Sequence, residues 1–144
     1  MDESKIHILI AEDEEFNFIF LAESLKEFNV KLYRVKDGLS AVETCRMNLQ
    51  IQQVLMDIRM PVMDGYTATK EIKKFRPELP IIAQTAYAME SDRKMAFDEG
   101  CDDYISKPIR RKDLIEIVAK HAPENSPLTK LIQSKNNIKN TSSF

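Results

Sequence analysis

The sequence predicts an α/β fold, a doubly wound parallel sheet of five strands with helices on both faces. Five short runs rich in β-branched and aliphatic residues alternate with five longer stretches of helical periodicity. The first run, Ile6–Ala11, is almost continuously apolar, as in a strand that is buried on both faces. Regular alternation of strands and helices is typical of a parallel sheet with right-handed crossover connections.

The predicted elements follow one another along most of the chain. The strands are Ile6–Ala11, 31–35, 53–56, 80–85 and Asp103–Ser106, and the helices are 14–28, 39–49, Gly65–Phe75, 90–99 and 111–121. The first helix carries an apolar stripe, formed by Phe16, Ile19, Phe20, Leu21, Leu25 and Phe28. The second helix is expected to place Leu39, Val42, Cys45 and Leu49 on one side.

Local signals fix several helix ends. Asp64 is a suitable N-cap for the third helix, and Pro77 keeps Arg76 out of the helical region, which ends it. Gly100 suits the position that follows the fourth helix. We therefore predict one folded domain over residues 5–122, with a polar C-terminal tail or linker over residues 123–144.

Composition excludes some classes of function. The formal net charge of −2 provides no general basic field for nucleic acid. The two cysteines, Cys45 and Cys101, are far apart and are expected to be reduced thiols. Neither a signal peptide nor an apolar run of about 20 residues is visible, so we expect a soluble, cytoplasmic chain.

Polar and charged residues whose side chains could take part in a reaction follow the predicted strands. Glu12 and Asp13 follow the first strand, Asp57 follows the third, Thr85 ends the fourth, and Lys107 follows the fifth. Because sites in such folds lie beyond the carboxyl ends of the strands, these five side chains are expected to meet at one edge of the sheet.

The expected cluster has a coherent chemistry. Three carboxylates raise one another's pKa, and Mg²⁺, which prefers oxygen ligands, would relieve the repulsion. The carboxylate of Asp57 is then a candidate nucleophile toward phosphorus. Lys107 would supply a mobile positive charge, and Thr85 a hydroxyl, for phosphoryl oxygens.

Each residue alone has a simpler explanation. The acidic run at residues 12–15 suits the start of a helix, and Asp57 suits a loop. Thr85 is a common strand residue, and Lys107 resembles an ordinary surface lysine. Their joint placement at strand ends favours a shared site over five separate explanations.

With these residues assembled, the chain resembles the receiver domain of bacterial two-component response regulators over nearly all of its predicted folded part. The resemblance rests on residues 54–65 (VLMDIRMPVMDG), 11–13 (AED), 85–86 (TA) and 106–108 (SKP). Asn17 and the stretch 85–89 are most similar to the receivers of hybrid sensor histidine kinases. The family implies a flavodoxin-like strand order of 2-1-3-4-5.

The resemblance also implies a role for each site residue. Asp57 would accept the phosphoryl group, and Mg²⁺ would be held by Glu12, Asp13, Asp57 and the backbone carbonyl of Arg59. Thr85 and Tyr104 would form a switch pair that alters the surface of residues 90–121. The Lys107–Pro108 peptide bond would be cis. Arg59 and Tyr87 are expected to tune the lifetime of the phosphorylated state.

The resemblance further implies a signalling switch rather than an enzyme. Neither His7, inside a strand, nor His121, at a helix end, suits a phosphodonor, so we expect the donor to be a histidine kinase or a histidine phosphotransfer domain, or a small phosphodonor. The expected protein is a monomer or a weak phosphorylation-dependent dimer without direct contact to nucleic acid.

Three other classes of protein are alternatives to a phosphorylated receiver domain. An aspartyl phosphatase would need an acid at position 59, which is Arg59. A flavodoxin-type ligand domain would need a phosphate loop after the first strand, where residues 12–15 would repel phosphate. A receiver-like module that is never phosphorylated would not need the complete acidic set.

Overall fold

A computed structural model describes residues 5–86, 90–124, 126 and 128–130 of the 144-residue chain. Its elements are β1 (Ile6–Ala11), α1 (Glu15–Leu25), a 3-10 turn (Lys26–Phe28), β2 (Val30–Val35), α2 (Gly38–Met47), β3 (Gln53–Asp57), α3 (Gly65–Phe75), β4 (Ile81–Thr85), α4 (Glu90–Asp98), β5 (Asp103–Ser106) and α5 (Arg111–Lys120). The ends differ from the predicted ones by one or two residues at most helices, and the last turn predicted for the first helix is the tighter 3-10 turn.

The five strands form one parallel sheet in the order β2-β1-β3-β4-β5, which confirms the predicted fold. Side chains alternate between its two faces. On one face, Ile8, Leu55 and Ile82 pack with residues of α1 and α5, such as Leu21 and Leu114. The other face carries the core beneath α2 and α3, with a smaller cluster beside α4. Burial of both faces accounts for the continuous apolar runs.

The register of the sheet determines what meets at its carboxyl edge. Ala11 pairs with Met56, so the residue after each lies at the same level of the sheet. Asp57 pairs with Gln84, and Thr85 pairs with Ser106. The residues that follow β1, β3, β4 and β5 are thereby collected within a few ångströms of one another.

The apolar stripe expected on α1 is only partly buried. Leu21 and Leu25 are fully buried against the sheet and α5, whereas the side chain of Phe16 is 82% exposed and those of Ile19 and Phe20 also face solvent. The apolar residues of α1 form two stripes at different rotations about the helix axis. Helical periodicity does not predict which of the two stripes packs against the sheet. The second helix differs similarly, since Leu39 and Leu49 are exposed.

The segment after α5 begins by packing on the domain. Leu128 is fully buried in the core between the sheet, α1 and α5, and residues 128–130 are helical. The hydroxyl of Thr129 donates to the carbonyl of Pro123 at 3.0 Å. The first part of the sequence-assigned tail, residues 123–144, therefore contributes to the core, and residues 131–144 lie outside the described part of the chain.

Both cysteines are free thiols, the state predicted for them, and both are buried. Burial raises the pKa of the Cys45 thiol and of the Cys101 thiol to about 11, so both thiols are protonated and inert at neutral pH. Among the helices within the described ranges, none has the length and apolar character needed to cross a membrane.

The loop between β3 and α3 contains a strained residue. Val62 has a φ of 70°, a region that β-branched residues rarely adopt, and its side chain is 78% exposed. The amide of Met63 donates to the carbonyl of Pro61 at 2.7 Å, which closes a three-residue turn around Val62. The exposed side chain of Val62 makes too little packing contact to offset the backbone strain.

Replacing Val62 by glycine is expected to stabilise the protein. Glycine adopts positive φ without a Cβ penalty, and relief of about 1 kcal/mol is expected. Urea denaturation of the wild type and of Val62→Gly would measure the change in the free energy of unfolding. Val62→Ala is the matched control, because it removes the exposed methyl groups and keeps the Cβ. A glycine variant less stable than the alanine variant would contradict the prediction.

Candidate functional site

Three carboxylates converge at the carboxyl edge of the sheet, as predicted from the strand ends. Glu12 directly follows β1 and is fully buried, Asp57 ends β3 and is buried, and Asp13 is exposed. One oxygen of each carboxylate lies within 4.8 Å of one oxygen of the other two. This is a compact, oxygen-only donor set that is open to solvent on the side of Asp13.

A single ammonium group lies between the two buried acids. Nζ of Lys107 is 3.2 Å from Oδ1 of Asp57 and 3.4 Å from Oε1 of Glu12. Burial acts to lower the pKa of Lys107, but the charges of Asp57 and Glu12 outweigh it and the pKa is raised, so the side chain stays charged. Lys107 therefore offsets part of the negative charge of the cluster.

The connection after β5 places Lys107. Its amide donates to the carbonyl of Thr85 at 2.7 Å, which ties the residue to the end of β4. The Lys107–Pro108 peptide bond, for which the resemblance implies a cis geometry, is cis. Thr85, the predicted hydroxyl, is buried at the end of the neighbouring strand and lines the same cleft as Lys107.

The carboxylate of Glu12 is strongly perturbed. Burial, followed by the hydrogen bond and the charge of Asp57, raises the pKa of Glu12 from 4.5 to about 7, against the opposing effect of Lys107. The ionised form of Glu12 is thus costly in this buried position beside Asp57, even with Lys107 in contact. A divalent cation would favour the ionised form, and the oxygen-only donor set fits Mg²⁺.

Asp13 and Asp57 line a cleft of about 360 Å³. The residues that line the cleft come from several elements and are Asp13, Glu14, Asn17, Asp57, Ile58, Arg59, Tyr66, Gln84, Thr85, Ala86, Asp92 and Lys107. Asn17 and Arg59, which sequence analysis singled out, are among them. The volume admits several waters or a phosphoryl group beside Asp57.

Sequence analysis missed Gln84. It pairs with Asp57 in the sheet, is buried, and neither atom of its amide has a hydrogen-bond partner within the described part of the chain. A polar side chain in the otherwise apolar run of β4 was the available signal. Tyr66 and Asp92 were also missed, since their places on the cleft wall depend on how α3 and α4 pack.

Gly65 fixes the loop that leaves Asp57. A Cβ at Gly65 would overlap the backbone carbonyl oxygen of Asp57, so only glycine permits this close approach. The amide of Gly65 donates to the carbonyl of Ile58 at 2.9 Å, and Oδ1 of the predicted N-cap Asp64 accepts from the amide of Thr67 at 2.8 Å. The start of α3 is thus anchored against the end of β3.

The second member of the expected switch pair, Tyr104, lies on β5. It is half-buried against the small cluster of Ala83, Ala96 and Cys101, and the guanidinium carbon of Arg93 is 5.9 Å from its ring centroid. It is therefore near the cleft but not in its lining. Tyr87, the other residue proposed to tune lifetime, lies outside the described residues.

Comparisons with known proteins agree on one family. Residues 8–119 match the family model described as response regulator receiver domain. Hybrid signal transduction histidine kinase G of Dictyostelium discoideum is 36% identical over 124 residues, which are 83% of this chain and 4% of that protein. The chain thus spans only a small part of this curated relative.

Two solved structures extend the comparison. The receiver domain of sensor histidine kinase PA1611 from Pseudomonas aeruginosa PAO1, with a magnesium ion in its active-site cleft, is 34% identical with a TM-score of 0.75, covering 81% of this chain and 97% of that one. The receiver domain of Saccharomyces cerevisiae Ssk1, solved with the histidine phosphotransfer protein Ypd1, is 26% identical with a TM-score of 0.75, covering 86% of this chain and 97% of that one.

The raised pKa of Glu12 predicts an unusual dependence of stability on pH. Between pH 4.5 and about 7, Glu12 holds a proton in the folded protein that it has released in the unfolded chain. Protonation of Glu12 therefore adds to the free energy of unfolding. This contribution is complete below pH 4.5 and is lost as the pH rises to about 7. Urea denaturation across this pH range, in EDTA, should show the decline.

The substitution Glu12→Gln should remove most of the decline in stability, because the amide does not titrate. Glu14→Gln, at an exposed position two residues later, is the matched control and should retain it. Equal slopes of unfolding free energy against pH in the wild type and in Glu12→Gln would contradict the prediction.

Proposed function

This chain belongs to the response regulator receiver domain family of two-component and phosphorelay signalling, and we propose that within it Asp57 is the residue that accepts the phosphoryl group. The observation that carries the proposal is the contact of Lys107 with both Asp57 and Glu12. It makes Asp57 the buried carboxylate that borders the cleft and has a cation beside it. In the reaction, the P–N bond of a phosphohistidine breaks as a P–O bond to Asp57 forms.

Glu12, Asp13 and Asp57, with the backbone carbonyl of Arg59, would hold the Mg²⁺. When bound, the ion supplies charge neutralisation for phosphoryl transfer, which depends mainly on positioning and electrostatics. Support comes from the donor set itself and from the magnesium in the PA1611 receiver. The exposed position of Asp13 leaves the ligand set accessible from the cleft.

Lys107 holds and orients the acceptor before transfer. Its ammonium contacts Oδ1 of Asp57, which keeps that carboxylate at the floor of the cleft. Because Lys107 has three donors on a flexible stem, it can follow the phosphoryl oxygens once they are in place. Thr85, on the cleft wall, offers its hydroxyl to the same oxygens.

The readout of phosphorylation is a change in the surface formed by residues 90–121. Thr85 and Tyr104 lie on neighbouring strands, β4 and β5, so a movement of Thr85 toward the phosphoryl group frees space next to Tyr104. The exposed Met95 and Phe97 give this surface apolar contact area for a target. The domain is thus proposed to act as a switch that accepts and slowly loses its phosphoryl group.

We also propose a cytoplasmic protein that is a monomer or a weak phosphorylation-dependent dimer. Two free cysteines are typical of a reducing compartment. Arg59, two residues after Asp57, occupies the place where an aspartyl phosphatase would need an acid. This departure argues against a role in turnover of phosphate esters.

Incubation with Mg²⁺ and a small acyl phosphate should add the mass of one phosphoryl group to the protein. Asp57→Asn should abolish the gain, because an amide is not a nucleophile toward phosphorus. Intact-protein mass spectrometry measures both. Asp98→Asn, at an exposed position on α4, is the control and should be phosphorylated like the wild type.

The outcomes of this assay separate the alternatives. No mass gain in the wild type would favour a receiver-like module that is never phosphorylated. Rapid turnover of phosphate esters without a stable adduct would favour a phosphatase.

The partner that delivers the phosphoryl group is proposed to be a histidine kinase or a histidine phosphotransfer domain that docks on the exposed apolar surface of α1, formed by Phe16, Ile19 and Phe20. This surface begins next to the acid cleft in the sequence, since Asn17, which lines the cleft, follows Phe16 directly. The co-crystal structure of the Ssk1 receiver with Ypd1 shows that a related receiver binds a histidine phosphotransfer protein. An exposed aromatic residue beside a charged cleft suits a docking hot spot.

Phe16→Ala is expected to slow phosphotransfer from a phosphorylated histidine phosphotransfer domain about tenfold, as expected for loss of a hot-spot side chain. Its rate with a small acyl phosphate should be unchanged, because that donor needs no docking surface. Radiolabel transfer and mass spectrometry measure the two rates.

Met47→Ala is the matched control for this prediction. Met47 is 85% exposed, like Phe16 at 82%, but it lies at the end of α2 and not on α1. Equal slowing of transfer in both variants, or none in Phe16→Ala, would contradict docking on α1.

A further inference from the structure

Arg34, near the end of β2, contacts both ends of the acidic loop between β1 and α1. Its Nε donates to the backbone carbonyl of Glu12 at 3.2 Å, and its Nη1 donates to Oε2 of Glu15 at 2.6 Å. Its guanidinium carbon lies 4.3 Å from the ring centroid of Phe18. One largely buried side chain therefore connects the residue before Asp13 to the first turn of α1.

The start of α1 lacks a side-chain cap. Its N-cap, Glu14, makes no side-chain capping hydrogen bond, although serine, threonine or aspartate at this position usually would. The side chain of Glu14 instead accepts from Nδ2 of Asn17 at 2.8 Å, and its amide donates to Oε2 of Glu12 at 3.3 Å. The bond from Arg34 to Glu15 adds a contact from β2, outside the loop, that fixes where the loop joins the helix.

The contacts of Arg34 are not explained by stability alone. Its Nη2 is buried and has no hydrogen-bond partner among the described residues, and a buried donor without a partner destabilises the folded state. An apolar side chain of similar length would pack over Phe18 without that cost. What such a side chain would lack is the pair of bonds that fixes Glu12 and Glu15.

We propose that Arg34 is a positioning residue for the divalent-cation site, holding the backbone of the loop so that the carboxylates of Glu12 and Asp13 converge with Asp57. The inference rests on the metal site of the proposed function and adds to it the element that orders two of its three carboxylates. Outer groups that orient metal ligands typically contribute a factor of ten to one hundred in affinity.

A positioning role and simple electrostatics predict opposite changes in Mg²⁺ affinity when Arg34 is replaced. Arg34 is a positive charge near a cation site, so by Coulomb attraction and repulsion alone its removal would strengthen Mg²⁺ binding. If Arg34 orders the ligands, its removal weakens binding in spite of the change in charge. The direction of the effect alone decides between the two.

The experiment is an NMR titration of the full chain with MgCl₂ at fixed ionic strength, together with amide hydrogen exchange of the metal-free protein. Arg34→Met is expected to raise the Kd for Mg²⁺ about tenfold and to speed exchange at the amides of Asp13 and Glu15. Arg46→Met is the matched control, because Arg46 also lies over an aromatic ring, that of Phe75 at 4.8 Å, and carries the same charge. It should leave both measurements unchanged.

A second variant guards against a loss of folding in Arg34→Met. Arg34→Lys keeps the charge but replaces the planar guanidinium, which reaches Glu12 and Glu15 from two different nitrogens, with one ammonium group, so it should also weaken Mg²⁺ binding. An unchanged or tighter Kd in the folded variants would overturn the proposal. Neither measurement uses phosphorylation, so failure of the acyl phosphate reaction would count against the proposed function and not against the positioning role of Arg34. A wild type that binds no Mg²⁺ would overturn the metal site itself, and with it the role of Arg34.

Discussion

The structure depends on concentrating negative charge at one edge of the sheet and offsetting it with a single ammonium. Glu12 and Asp57 are both buried, and Nζ of Lys107 lies between them. Burial, together with the neighbouring Asp57, raises the pKa of Glu12 even though Lys107 opposes the rise. The site is held by attraction to Lys107, and its oxygen-only donor set also suits a divalent cation such as Mg²⁺.

The rest of the fold keeps that arrangement from relaxing. Parallel strands of matched register bring the residues after β1 and β3 to one level, and close packing of Gly65 against the carbonyl of Asp57 fixes the loop that leaves it. The bond between the Lys107 amide and the Thr85 carbonyl ties the ammonium to the strand beside Asp57. The acids do not spread apart because backbone hydrogen bonds, which are insensitive to the charge of the cluster, hold their main chains.

In the proposed function, the β1–α1 loop and α1 link this chemistry to a partner. Arg34 bonds both ends of the acidic loop, and Phe16, Ile19 and Phe20, on the helix that follows the loop, expose apolar side chains to solvent. A partner that covers this surface would lie near the mouth of the cleft and exclude water from Asp57, which strengthens electrostatic stabilisation of the transferring group. In that proposal, metal binding and docking share one short segment of the chain, to which Arg34 is bonded.

The sequence by itself determined the location of Glu12, Asp13, Asp57, Thr85 and Lys107 at strand ends and the caps of α3, because these follow from local periodicity, from capping signals and from the rule that parallel strands deliver their carboxyl ends to one edge. The strand order was predicted from the family resemblance and not from periodicity. Tertiary structure alone decided which stripe of α1 is buried, since two apolar stripes satisfy the same helical period and only the position of α5 selects between them. It also decided the contacts of Arg34, whose partners are distant in sequence, the burial of Gln84 on the wall of the cleft, and the burial of Leu128 beyond the predicted domain end. Local pattern specifies which residues can form an element, whereas the choice of neighbours is a long-range property that the pattern does not contain.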